Sequence, residues 1–325
     1  MNYSDGYLRE TLPFNSPPAL LVPPEVELAI AQEDESSGLD DEDLLHRSRR
    51  WTHALFSEMR QGQWVFRPRT NGVVASWGLS TAFSNPFERC AIGLMDPEHE
   101  AHGFGLVLTS QLPIDRPFEL VGEAFFPRLA QTFPVGLGSA RTELHALAHP
   151  VGATTACWAR SRKSALWGVL TAGHAVRHVG RGGAVAMSLG QQGQLGRARY
   201  PPIDAAFVLT TPPGGPISPQ PVAPLPCPAA GFRVWVESQK TPQQRHVIRT
   251  MDTLGVVRTG AFPVLSFLDL PCVPGDSGAL VSDLNRQGLG LYLGSMNTSQ
   301  VPGGVVGLVQ NLEQAVHVLK VDPFI

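Results

Sequence analysis

Glycine and proline set the first limit on this chain. It holds 33 Gly and 29 Pro in 325 residues. Gly weakens a helix interior and Pro breaks it. Spread this densely, they argue against a long coiled coil and favour many short elements joined by turns, a mostly β body. Neither residue keeps a three-residue period, so a collagen-like rod is excluded. Hydrophobic residues make up 43%, enough to bury a core, so the chain is not disordered as a whole. The length allows one large or two ordinary domains.

The formal net charge of −3 is too balanced for a nucleic-acid binder, but it hides an asymmetry. Residues 1–45 hold eleven acids against the single base Arg9, so residues 46–325 carry +7. Residues 151–236 alone hold eight Arg or Lys against one acid, Asp204. The acidic arm reads as a solvating tail, since exposed charge is largely screened in salt. The alternative is that the arm, or an acidic stretch of a regulatory protein partner, docks on that basic segment.

The start lacks the basic region of a secretory signal, and its first apolar stretch is interrupted by Pro23, Pro24, Glu25 and Glu27. No run of about 18 apolar residues marks a membrane span. Four cysteines, Cys90, Cys157, Cys227 and Cys272, are too few for a disulfide framework and lack metal-type pairing. The expectation is a cytoplasmic chain with reduced thiols, no metal and no cofactor.

Residues 1–38, acidic and Pro-rich, read as a flexible arm. From Leu39 to about Gln61 the apolar residues Leu44, Leu45, Trp51, Leu55, Phe56 and Met59 recur at helical spacing. Strand-like runs follow at Gly72–Trp77, Cys90–Met95, Gly103–Thr109 and Phe118–Phe126. Together these make a small α+β N-terminal unit over 39–132. Beyond it, short β-type runs continue to the end, including Ala165–Leu170 and an alternating run at Phe232–Glu237. Eight prolines between Thr211 and Pro228 can join no ladder and read as a linker between two β subdomains, about 211–228. Val309, Leu312, Val316 and Leu319 mark an amphipathic C-terminal helix.

Three segments of the second half carry chemistry. They are Leu170–His174 after a strand, Ile203–Leu209, and Pro274–Val281 with Gly275-Asp276-Ser277-Gly278 inside it. A serine flanked by glycines on a sharp turn presents its hydroxyl outward, because Gly permits backbone angles that a side chain forbids. The N–H groups of Gly275 and Ser277 can then converge as an oxyanion hole, where losing one donor costs roughly 100- to 1000-fold in rate. Serine needs a base, and His174 sits at a strand end in a turn of small residues. That histidine needs a partner to fix its tautomer. Asp204 is the only acid between Glu143 and Glu237, and an unpaired carboxylate at the head of an apolar strand is costly.

These residues resemble the chymotrypsin/trypsin-like serine proteases, of a bacterial, single-chain, non-exported type. Thr171–His174 looks like the family's Thr-Ala-Ala-His, with Gly173 for the second Ala. Ile203–Leu209 looks like its Asp-(Ile/Val)-Ala-Leu strand, and Gly275–Gly278 reproduces its Gly-Asp-Ser-Gly. The order His, Asp, Ser is that of one triad architecture. The resemblance spans 133–325 and implies a trypsin-like protease domain. The expected fold is therefore mostly β, a chymotrypsin-like double β-barrel preceded by the α+β unit. It implies His174 as base, Asp204 as its orienter and Ser277 as nucleophile, with Gly275 and Ser277 forming the oxyanion hole. Several family features are absent. Ala175 follows the histidine where secreted members have cysteine, and no activation cleavage motif appears. Asp276 is therefore expected to pair internally. The position that sets a preference for Arg or Lys falls on Pro271 or Leu270, with Asp269 nearby, so a small or apolar P1 residue is favoured.

The expected function is a serine endopeptidase working through a Ser-His-Asp triad and an acyl-enzyme. Its partner is a protein or peptide substrate, with neither nucleic acid nor membrane. Regulation by the N-terminal region or a partner, and self-cleavage after that region, are both open. The alternative is a protease-fold binding or scaffold protein without turnover. His145, His149, His178 and His246 read as surface or core residues, and Cys272 as a small packing group.

Overall fold

The structure is a computed structural model. It describes residues 12, 13, 15–24, 26–28, 30–31, 42–61, 64–69, 87–94, 103–110, 119–144, 153–187, 191–200, 203–212, 230–238, 244–252, 264–298 and 305–324. Most of the acidic arm, the expected strand at 72–77 and nearly all of the Pro-rich linker lie outside these residues. The chain is mostly β, with its strands in two sheets of eleven and six.

The N-terminal part opens with a short 3-10 turn, Ala19–Leu21, and Leu12, Leu21, Val22, Val26 and Ile30 are buried in the same core as Trp51 and Leu55 of the helix that follows, α1 (Glu42–Arg60). Strands β1 (Val65–Pro68), β2 (Phe87–Leu94), β3 (Phe104–Ser110), β4 (Glu119–Phe126) and β5 (Gln131–Leu144) follow. Trp51, Leu55, Phe56 and Met59 of α1 are buried as their spacing requires. Trp51 packs on Phe133 of β5 at 5.5 Å between ring centroids, and Phe104 and Phe126 meet the same ring. Arg49 and Ser48 are buried as well. Ser48 Oγ donates to the Ala230 carbonyl at 3.1 Å, and the Arg49 guanidinium lies 4.8 Å above the Phe232 ring. The helix thus docks its polar shoulder on the entry to the later strands.

Next come β6 (Trp158–Ser161), β7 (Trp167–Thr171), β8 (Ala184–Ala186), β9 (Gln192–Arg199) and β10 (Ala205–Leu209). They form the six-stranded sheet, completed by the last strand of the chain, β17 (Val321–Phe324), in the order β17-β6-β7-β10-β9-β8. Then follow β11 (Arg233–Glu237), β12 (Gln244–Asp252), β13 (Leu265–Leu268), β14 (Leu280–Ser282), β15 (Gly288–Thr298) and β16 (Val305–Asn311). Their antiparallel pairings run β11–β12–β13–β16–β15–β14 and back to β11, a closed ring. Closure leaves this ring no free edge except where strands overrun their partners.

The α+β unit is not detached from this ring. β2 pairs with the end of β12, and the last five residues of β5 pair with β15. β5 itself runs straight through the expected boundary at 132/133. Its sequence alternates without a turn residue pair there, so one strand serves both regions.

The C-terminal helix α2 (Leu312–Leu319) starts later than its apolar spacing suggests, because Val309 belongs to β16. Asn311 stops the strand and caps the helix, accepting from the Gln314 N–H at 3.0 Å. Lys320 ends it in the left-handed region, φ 54°. The chain then adds β17 (Val321–Phe324) to β6, a strand not expected from the sequence. Pro323 masks it, and the strand tolerates that proline because it lies at a sheet edge.

Candidate active site

Strand register brings the first two groups together. β7 and β10 are antiparallel, with Thr171 opposite Ala206. Continued by two residues, that register sets Asp204 across from Gly173, one residue before His174. The chain can make this approach because position 173 has no side chain. A Cβ there would lie 2.5 Å from the Arg199 carbonyl oxygen and 2.9 Å from the Ala205 nitrogen. His174 then opens a short 3-10 turn, His174–Val176. Asp204 grips it twice. Its Oδ1 accepts from the His174 backbone N–H at 2.8 Å, and its Oδ2 lies 2.6 Å from His174 Nδ1. The backbone N–H of Asp204 donates to Gln310 Oε1 at 2.6 Å. Gln310, from β16 of the other sheet, is fully buried.

Ser277 arrives from that other sheet, on the turn before β14. The His174 Nε2 to Ser277 Oγ distance is 3.1 Å. The hydroxyl also donates to the Leu293 carbonyl of β15 at 2.6 Å. Thr154 ties the turn to the first sheet. Its N–H donates to the Ser277 carbonyl at 2.8 Å, and its hydroxyl to the Gly275 carbonyl at 3.0 Å. Thr171 Oγ1 at the end of β7 donates to the Thr154 carbonyl at 2.8 Å. Gly278 lets the two sheets meet: its φ is +91°, and a Cβ would lie 2.2 Å from the Thr154 oxygen.

All three side chains are buried, Ser277 completely. Gly275, at φ +102°, reverses the chain just before the serine. The Asp276 N–H turns inward to the Val273 carbonyl, and the Ala279 N–H to the Asp276 carbonyl. Those bonds shape the turn and draw on neither the Gly275 nor the Ser277 N–H.

Asp276 pairs within the chain. Ser238 Oγ donates to its Oδ1, and the Val273 N–H donates to its Oδ2. Asp269 is buried beside a histidine. Its Oδ1 is 3.3 Å from Nδ1 of the buried His246 and accepts from the Leu270 N–H. His246 Nε2 lies 3.6 Å from Cys272 Sγ. Desolvation pushes the Cys272 thiol up to about 12, and the Asp276 charge adds to the effect. That sulfur is therefore a neutral packing group rather than a nucleophile. Tyr292, fully buried, accepts from the Cys272 N–H at 2.9 Å.

The sequence did not point to Thr154, Leu293 or Gln310. Thr154 and Gln310 act through hydrogen bonds to residues far away in the chain, and Leu293 through its backbone carbonyl, and no local pattern marks such residues. Among the described residues, no group of three His, Cys, Asp or Glu could hold a metal ion. Among the same residues, no helix is long and apolar enough to cross a membrane.

No protein-family model matches the chain, and no curated protein sequence is similar to it. Among solved structures it is similar to the Nocardiopsis protease NAPase (17% identity, 54% of this chain, 97% of that one, TM-score 0.40). It is also similar to a glutamic acid specific serine protease (16%, 53% and 93%, TM-score 0.41). A third is the HtrA-type protease AlgW with a decapeptide (17%, 47% and 47%, TM-score 0.34). Superpositions this loose carry no weight for the chemistry of this chain, which rests on its own geometry.

Proposed function

We propose that the chain is a serine-type endopeptidase acting through Ser277, His174 and Asp204. One observation carries this reading: the continuous contact from Asp204 Oδ2 to His174 Nδ1 at 2.6 Å and from His174 Nε2 to Ser277 Oγ at 3.1 Å. Asp204 holds the tautomer with the proton on Nδ1, leaving Nε2 as acceptor. As Ser277 Oγ attacks a substrate carbonyl carbon, its proton passes to Nε2, and Asp204 stabilises the imidazolium. The Gly275 and Ser277 N–H groups receive the oxyanion. Collapse hands the proton from Nε2 to the leaving amine and leaves an acyl-serine. Water, activated by the same histidine, then releases the acid.

The hydroxyl proton has two acceptors, Leu293 O and His174 Nε2, and it must swing to the second for attack. The engagement of Asp269 with His246 supports a small or apolar P1 residue over Arg or Lys. A cytoplasmic setting with reduced thiols is part of this proposal. Control by the N-terminal region or by a partner belongs to the same reading.

A fluorophosphonate probe tests it. Wild type labels and Ser277→Ala does not. Absence of labelling in wild type overturns the reading in favour of a binding protein without turnover. N-terminal proteomics of lysate treated with each form reports P1 preference.

A further inference from the structure

The edge of β15 beside Ser277 is covered by the chain itself. β14 pairs with β15 only as far as Leu291. Beyond it lies Leu293, whose carbonyl accepts the Ser277 hydroxyl, and then Gly294–Thr298. That run is bonded to β16 on one side. On its other side it would present the row of open backbone groups on which an extended peptide adds as a strand.

β5 occupies that row. Ala140, Arg141, Thr142, Glu143 and Leu144 lie antiparallel opposite Thr298, Asn297, Met296, Ser295 and Gly294. Every step along β5 therefore moves toward Leu293 and Ser277. The parallel pairing of β5 with β3 ends at Ser139, and its pairing with β4 ends at Leu137. Among the described residues, the last five residues have β15 as their only strand partner. Residues 131–139 remain anchored if those five leave.

We infer that Ala140–Leu144 of β5 is an intramolecular occupant of the peptide-binding edge, which an extended substrate must displace before Ser277 can act on it. The inference rests on the peptidase reading. A tethered strand competes at a millimolar effective concentration, so the block acts chiefly on the apparent affinity for peptide.

The test uses the full chain with two readouts, fluorophosphonate labelling for Ser277 reactivity and hydrolysis of unfolded casein for access to the edge. Thr142→Pro/Glu143→Pro removes two successive N–H groups. One of them must face β15, because N–H direction alternates along a strand. Casein hydrolysis is expected to rise roughly tenfold with a lower KM, labelling staying level. The converse variant, Arg141→Cys/Asn297→Cys, joins two directly opposed residues, whose Cβ atoms stand about 4.5–5.5 Å apart in such pairs. Its oxidised form should label but not cut casein, and reduction should restore cutting. The locked variant decides alone if the proline variant does not fold. Equal casein hydrolysis in the locked and reduced forms, with normal labelling, overturns the inference and leaves the peptidase standing. No labelling in any form overturns both.

Discussion

Single atoms decide the geometry around Ser277. Gly278 occupies the left-handed region at φ +91°, with the Thr154 oxygen, Thr171 Oγ1 and the Ala172 nitrogen crowding the place of a Cβ. Two of these are backbone atoms and cannot turn aside. Gly278→Ala should therefore destabilise the fold by more than the roughly 1 kcal/mol usual for a backbone-strained alanine, read as a lower urea midpoint at unchanged slope. A different outcome is expected at the acid. Asp204→Asn keeps the shape but favours the wrong histidine tautomer. We expect kcat to fall by roughly 10³- to 10⁴-fold with KM little changed. A loss under tenfold in steady-state peptide hydrolysis would remove Asp204 from the mechanism.

At the scale of elements, antiparallel register positions His174 and Asp204, while a β16 side chain holds the latter from behind. Gln310→Leu leaves the buried Asp204 N–H without its acceptor. An unmet donor costs about 1–3 kcal/mol, which chemical denaturation would read directly. A further loss of kcat beyond the population unfolded would show that the bond also aims the carboxylate. β7, β10 and β11 were legible because their apolar runs are short and bounded by turn residues. β17 was not, since a proline inside Val-Asp-Pro-Phe argues against a strand unless its edge position is known. The onset of α2 was misread because Val309 fits both a helical and a strand period.

For the molecule as a whole, α1 and β2–β5 are built onto the closed ring. Arg49 and Ser48 grip the residues leading into β11, and β5 crosses from the N-terminal strands to the edge beside Ser277. Two thiols report on the integrity of this packing. Desolvation raises both Cys157 and Cys272 from an ordinary value of 9.0 to about 12 in the fold. Between those values the unfolded chain loses thiol protons that the folded chain keeps. Their contribution to stability is whole below pH 9 and is lost as pH rises toward 12. Denaturation midpoints should fall across that interval, and Cys272→Ala should flatten the fall. At pH 8 the folded chain should resist alkylation at Cys272 until denaturant is added. Rapid native alkylation of Cys272 would contradict its burial.

By itself the sequence determined the chemistry on offer and the class of fold. Dense Gly and Pro require short elements. Gly-Asp-Ser-Gly, a strand-end histidine and one acid across nearly a hundred residues restrict which groups can act together. These features are local, written in neighbours along the chain. Tertiary structure alone decided the rest, because it depends on contacts between distant segments. It set Thr154 between the sheets, gave Asp204 its support from Gln310 and turned Asp269 to His246. It also laid the end of β5 along the β15 edge, 150 residues away in sequence. Backbone hydrogen bonds make that last pairing, and they are blind to side-chain identity, so no residue pattern foretells it.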